Sequence, residues 1–209
     1  MSDLRIDHVV YAVGDLEIAA ARFHDEFGLG SIEGGRHPGW GTANRIVPLG
    51  SQYVELVAVA DRTEAAASEF GRAVIGAVAG ARPLLGWAVA TDDLPGVASR
   101  LDLEVTNGSR TRPDGVALRW QLAGVGHALS TGALPFFIRW DGPSELHPGT
   151  AVAEHDVRPR GITRIEIAAE ETAVGDWLGQ SDLPLRITEG PPALSAIAIS
   201  TATGEVVLC

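Results

Sequence analysis

Glu55 stands in a run of otherwise apolar residues, Tyr53-Val54-Glu55-Leu56-Val57. Burying a carboxylate without a partner is costly, so an interior Glu55 needs a cation, a metal ion or a hydrogen-bond donor. The competing placement is the exposed face of an edge strand. His8 stands in a similar run, Arg5-Ile6-Asp7-His8-Val9-Val10. Its imidazole either packs and hydrogen-bonds a neighbour or turns to chemistry. Arg119 and Arg139 fall in strand-like stretches, where a guanidinium can hold a carboxylate or keto-acid ligand or pair with an acid. Trp40, Trp87, Trp120 and Trp140 either line an apolar ligand site or belong to the core. The Gly-rich stretch 34–41 lacks the Gly-x-Gly-x-x-Gly order of a phosphate cradle and reads as a flexible loop leading into a strand.

Other chemistries are excluded. All 16 basic residues are arginine, which removes lysine Schiff-base catalysis and the P-loop. The single cysteine, Cys209, leaves no intrachain disulfide and no Cys-rich zinc site. No Gly-x-Ser-x-Gly elbow and no reactive-cysteine context occur. A net charge of -11 disfavours sequence-independent nucleic-acid binding, because the chain repels a polyanion. There is no apolar run long enough to span a membrane and no basic-then-apolar start resembling a signal peptide. These features point to a cytoplasmic protein. With 45% hydrophobic residues the 209-residue chain can bury a core of one or two domains.

The elements that must position these residues repeat. Residues 5–13 read as a strand, and a helix capped by Asp15 and stopped by Gly28 follows. Strands over 42–49 and 52–59 complete the unit as βα followed by about three strands. One helix is predicted over 63–79, capped by Thr63. The pattern restarts with strands at 84–90, 103–109, 116–122 and 135–140, a helix from Asp93 to Leu101, and the turn Pro113-Asp114-Gly115. Residues 143–161 read as a polar linker. A third unit has strands at 162–169, 185–188, 193–200 and 205–208 and a helix at 172–178. The expected fold class is α+β: repeated βαβββ modules forming a curved, cup-like mixed sheet with flanking helices. Two modules pair over 5–142, and a third, over 162–209, packs on the pair or supplies a dimer interface.

This order, with Asp7-His8 in the first strand and Tyr53-Val54-Glu55-Leu56 in the fourth, resembles the vicinal oxygen chelate superfamily, which includes glyoxalase I, bleomycin-resistance proteins and extradiol dioxygenases. More narrowly, Gly35-Arg36-His37-Pro38-Gly39-Trp40-Gly41-Thr42-Ala43-Asn44, Pro135-Phe136-Phe137-Ile138-Arg139-Trp140 and His147-Pro148 resemble the glyoxalase-like domain proteins of bacteria. The likeness covers roughly residues 5–180.

The resemblance implies that His8 and Glu55 ligate a divalent metal such as zinc, nickel, manganese or iron. Strand alternation is compatible with this: Ile6, His8 and Val10 share one face, and Tyr53, Glu55 and Val57 another. The later modules do not complete the set. Gly86 and Ile138 fall at the equivalent positions of the second, and Arg164 and Leu208 in the third. His37 is the best local third ligand, with His147 and His127 more remote and a second subunit as a further source. Glu55 also serves as proton acceptor, and Trp40, Asn44, Arg139 and Trp140 line the substrate site. The expected activity is a metal-dependent lyase, isomerase or dioxygenase acting on a small oxygenated substrate. The alternative is a non-catalytic small-molecule binder of the bleomycin-resistance type.

Overall fold

The computed structural model describes residues 3–112 and 114–209. Met1, Ser2 and Pro113 of the predicted turn lie outside the described residues. The first unit comprises β1 (Arg5–Ala12), α1 (Leu16–Phe27), β2 (Ile32–His37), β3 (Thr42–Pro48) and β4 (Tyr53–Val59). Asp15 caps α1 by accepting from the Glu17 and Ile18 amides, and Gly28 ends it at φ 66°. Helices α2 (Arg62–Ala67) and α3 (Glu69–Ala79) lead to the second unit. That unit comprises β5 (Leu84–Ala90), α4 (Leu94–Leu101), β6 (Val105–Thr111), β7 (Ala117–Ala123), α5 (Val125–Thr131) and β8 (Phe136–Asp141). The third comprises β9 (Pro159–Ala168), α6 (Glu171–Leu178), β10 (Leu185–Thr188), β11 (Ala193–Thr201) and β12 (Glu205–Leu208).

Three expectations about local elements are corrected. The single helix over 63–79 is broken at Ser68, which is extended and caps α3 through the Gly71 amide. Its hydroxyl also donates to the Trp40 carbonyl, so the break ties the helix pair to the rim of the cup. Asp61, rather than Thr63, caps the first of the two helices. The Gly-rich stretch is a strand through His37, paired with β3 from Ile32↔Ile46 to His37↔Thr42. Helix α5 carried no sequence signal that set it apart from the strands around it.

Eight strands form one sheet in the order β2-β3-β4-β1-β5-β8-β7-β6. Within each of the first two units the opening strand pairs in parallel with the closing one, β1 with β4 and β5 with β8. The units join through antiparallel β1 and β5. The sheet curls until its end strands approach, where the Arg110 guanidinium on β6 donates to the Gly34 carbonyl on β2. The result is the cup-like mixed α+β architecture. The third unit has the same element order but different pairing: β9 lies between parallel β10 and antiparallel β11.

Two apolar clusters follow from strand alternation. The outer one joins Val9, Tyr11, Leu56, Trp87 and Phe137 to α1, α4 and the third unit's Ile165, Ile167, Ile197 and Ile199. The inner one lines the cup with Val10, Val57, Phe70, Trp120, Leu122, Phe136 and Ile138. Register slips between Ile6 and His8 in the β1–β5 pairing. Ile6 therefore joins the outer cluster while Val10 joins the inner one, which corrects the expectation that Ile6 shares a face with His8 and Val10. No described helix is long and apolar enough to cross a membrane.

Candidate functional site

Strand β4 is interior, between β3 and β1, so Glu55 is not on an edge. It is 8% exposed and lines a cavity of about 40 Å³ inside the cup. His8 pairs with Tyr53 and Val10 with Glu55, placing His8 and Glu55 diagonally across adjacent strands. His8 Nε2 lies 3.8 Å from Glu55 Oε2. His37, at the end of β2, sets its Nε2 3.6 Å from Glu55 Oε1. Asn44 donates from Nδ2 to Glu55 Oε1 at 2.6 Å, fixing the carboxylate's orientation. A side chain at Gly34 would collide with the Asn44 amide, so β2 is bare where Asn44 must lie.

The second nitrogen of each imidazole is also engaged. His8 Nδ1 donates to Asp7 Oδ1 at 2.6 Å. Asp7 Oδ2 accepts from Trp140 Nε1 and His147 Nε2, both at 3.0 Å. His147 Nδ1 accepts from the Gly149 amide, which leaves its proton on Nε2. Burial pushes the Asp7 pKa up, but the hydrogen bonds from His147 and His8 and their charges outweigh it and hold the carboxyl well below its ordinary range. An ionised Asp7 only accepts, so in a neutral His8 the lone pair sits on Nε2, facing Glu55. His37 Nδ1 is 2.9 Å from the Thr42 hydroxyl. Burial, aided by Arg110 and His8 and opposed by Glu55, lowers the His37 pKa and favours the neutral ring. Tyr53 stacks on His8 at 4.5 Å; burial, with Asp7 and Glu55 beside it, raises its phenol pKa well above normal and keeps it protonated.

The donor types fit a divalent ion: two imidazoles and a carboxylate, each imidazole oriented through its far nitrogen. Two atoms bound to one ion stand at most about 4.2 Å apart, twice a bond of about 2.1 Å. Both His–Glu gaps fall inside that limit. As they stand, no group of three or more His, Cys, Asp or Glu among the described residues is arranged to hold a metal ion. Loading therefore requires the two pairs to close on one point.

Trp40, Asn44 and Trp140 line the cup, together with Phe70, Trp120 and Phe136. Arg139 does not. It opens into a second pocket of about 630 Å³, where its guanidinium lies 3.9 Å from Asp141. Trp140 borders both spaces. Trp87 is not a ligand wall: it is fully buried in the outer core and donates to the Ala133 carbonyl. Arg119 is exposed. His127 stacks on Trp177 at 4.2 Å, and His147, outside the cup lining, hydrogen-bonds Asp7 and packs edge-on against Tyr53 and Trp140. Sequence reasoning missed Asp7 and Arg110. Asp7 carried a signal, since it accompanies His8 in the motif. Arg110 carried none.

A family model described as a glyoxalase-like domain matches residues 6–181. No curated protein matches the chain. Among solved structures, a hypothetical protein from Staphylococcus aureus has TM-score 0.73 at 16% identity, covering 96% of this chain and 92% of that one. That likeness is one of fold. Methylmalonyl-CoA epimerase from Mycobacterium tuberculosis has TM-score 0.45 at 18% identity, covering 66% and 88%. A hypothetical protein from Bacillus halodurans has TM-score 0.47 at 10% identity, covering 68% and 96%. With the family model spanning both cup-forming units, the chain belongs to the glyoxalase-like domain family.

Proposed function

We propose that the cup is the centre of a divalent-metal-dependent lyase, isomerase or dioxygenase acting on a small oxygenated substrate. One observation carries this reading. His8 Nε2 lies 3.8 Å from one carboxylate oxygen of Glu55, and His37 Nε2 lies 3.6 Å from the other. A buried carboxylate flanked by two ring nitrogens is stabilised by a cation or a proton placed between them. His8, His37 and Glu55 would hold the metal, which when bound supplies stabilisation of negative charge on substrate oxygens.

The chain's own residues account for the rest. Asp7 fixes the His8 tautomer and Asn44 orients Glu55, which serves as proton acceptor. The aromatic wall of Trp40, Phe70, Trp120, Phe136 and Trp140 excludes water. At about 40 Å³ the cavity has room for a few water-sized groups, which favours a substrate of few heavy atoms.

The test is metal content of untagged protein, followed by chelation and reconstitution. Near-stoichiometric metal, lost in His8→Ala and Glu55→Ala, is expected. Protein that is metal-free and refuses reconstitution overturns the reading.

The outer pocket supports a second reading, a non-catalytic binder. Its 630 Å³ lies in the range of small-molecule sites, whereas the cup is far smaller. Ligand-induced thermal stabilisation indifferent to chelator is its expected sign, and hits that appear only with added metal would overturn it.

A further inference from the structure

Arg110 is the one buried side chain of β6, whose other positions are exposed or half-buried. It is 7% exposed and lines the cavity that holds Glu55, His8 and His37. Within that lining Glu55 is the only acid and Arg110 the only permanent cation. Among the described residues the two form no ion pair, and the single side-chain hydrogen bond of Arg110 goes to the Gly34 carbonyl. A guanidinium has five N–H donors in a planar fork suited to carboxylates, so most of this one is uncommitted.

Burying an unpaired charge is expensive. The Arg110 stem passes over Gly35, where a Cβ would stand in ordinary contact, 3.7 Å from Arg110 Cδ and Nη1, and closer, at 3.1 Å, to the Thr111 carbonyl oxygen. Gly34, whose carbonyl accepts from Arg110, has no room for a Cβ beside the Asn44 amide. The guanidinium is thus anchored to the same short stretch of β2 that Asn44 packs against. Burial lowers the Arg110 pKa, and the Glu55 carboxylate opposes that shift.

We propose that Arg110 is the anion-recognition residue of the cup, and that the substrate is a small carboxylate bearing an oxygen on the adjacent carbon, of the 2-oxo or 2-hydroxy acid class. This rests on the reading of the cup as the active site. The guanidinium fork takes the carboxylate, leaving the adjacent oxygen directed toward Glu55 and the two imidazoles. The small cavity limits such an acid to a few heavy atoms.

The experiment titrates oxalate, and acetate as a non-chelating control, into wild type, Arg110→Lys and Arg110→Met, each metal-free and Mn²⁺-loaded, by calorimetry. Oxalate affinity is expected to fall about tenfold to a hundredfold in Arg110→Met, and less in Arg110→Lys. Mn²⁺ affinity does not fall in either variant, since Arg110 is not a ligand and a cation is only lost in Arg110→Met. A residue that merely latches β6 to β2 lowers the melting temperature of the variants without changing anion affinity. That result overturns the proposal, as does failure of either anion to bind wild type in any state. If Mn²⁺ does not bind wild type, the metal reading fails, while titration into the metal-free proteins still decides the role of Arg110. If Arg110→Met does not fold, unaltered oxalate affinity in Arg110→Lys, with its point charge in place of the fork, counts against the proposal.

Discussion

Asp7 and His8 are neighbours in the chain and are also hydrogen-bonded through their side chains, Oδ1 to Nδ1 at 2.6 Å. Consecutive strand residues normally point to opposite faces. Here the register slip between Ile6 and His8 against β5 lets both turn to one network. Asp7 gathers three donors, from His8, His147 and Trp140, and holds the His8 ring with its Nε2 toward Glu55.

Asp7→Asn therefore acts through His8. The amide no longer accepts through both of its terminal atoms, so the tautomer and ring angle of His8 are released. Divalent-metal affinity is expected to fall about 10- to 100-fold, the usual effect of losing such an outer partner. Stability should drop by about 1–3 kcal/mol, because buried donors are left without a partner. Metal titration and chemical denaturation of the same variant measure the two effects.

Acid should destabilise the fold in two stages. Burial depresses the His37 pKa below its ordinary 6.5. The unfolded chain then takes up that proton first, and stability declines as pH falls from about 6.5 toward the depressed value. His155, also lowered by burial, adds in the same direction. Asp7 is depressed below its ordinary 3.8, so its contribution is complete above that pH and is lost as pH falls further toward the folded value. Denaturation midpoints measured from pH 8 to pH 3 should fall monotonically. The decline between pH 7 and 5 should be shallower in His37→Gln, and the decline below pH 4 shallower in Asp7→Asn. An unchanged pH profile in His37→Gln contradicts this assignment.

Two glycines should answer oppositely to alanine. At Gly34 the added methyl meets the Asn44 side chain and lies 2.9 Å from its backbone oxygen. Gly34→Ala is expected to cost about 1–3 kcal/mol, as overpacking does. It should also weaken metal binding by displacing the donor to Glu55. At Gly76, exposed within α3, nothing lies within 4 Å of the added atom. Gly76→Ala should stabilise by about 0.5–1 kcal/mol. Thermal unfolding of the two single variants checks both signs.

The sequence disclosed those parts of the site that strand periodicity governs. His8 and Glu55 sit in apolar runs whose alternation puts them on the inner face, and Asp15, Gly28 and Asp93 marked their helix ends. The repeat in the sequence puts Gly86 and Ile138 at the second unit's equivalents of His8 and Glu55; in the structure Ala88 opposes His8 while Gly86 opposes Val10, and Ile138 lies in the apolar wall with Phe136. Other features depend on contacts made by distant chain segments. β2 was hidden because Gly34 and Gly35 weaken its strand propensity, and the closeness of Asn44 that requires Gly34 is a contact between strands. Arg110 falls just beyond the strand predicted over 103–109, and it is buried because the curled sheet brings β6 to β2. His147, in the segment after β8, meets Asp7 from 140 residues away. Ile6 was assigned to the wrong face because a bulge leaves no mark in residue type.

The central claim is that two imidazoles and one carboxylate in the cup share a divalent ion. Co²⁺ titration of the untagged, chelator-stripped protein, followed by visible absorption, reads that coordination directly. The account expects one equivalent bound per chain with ligand-field bands, and those bands lost or displaced in His8→Ala, His37→Ala and Glu55→Gln. Absence of stoichiometric binding, or a spectrum identical in all three variants, contradicts it.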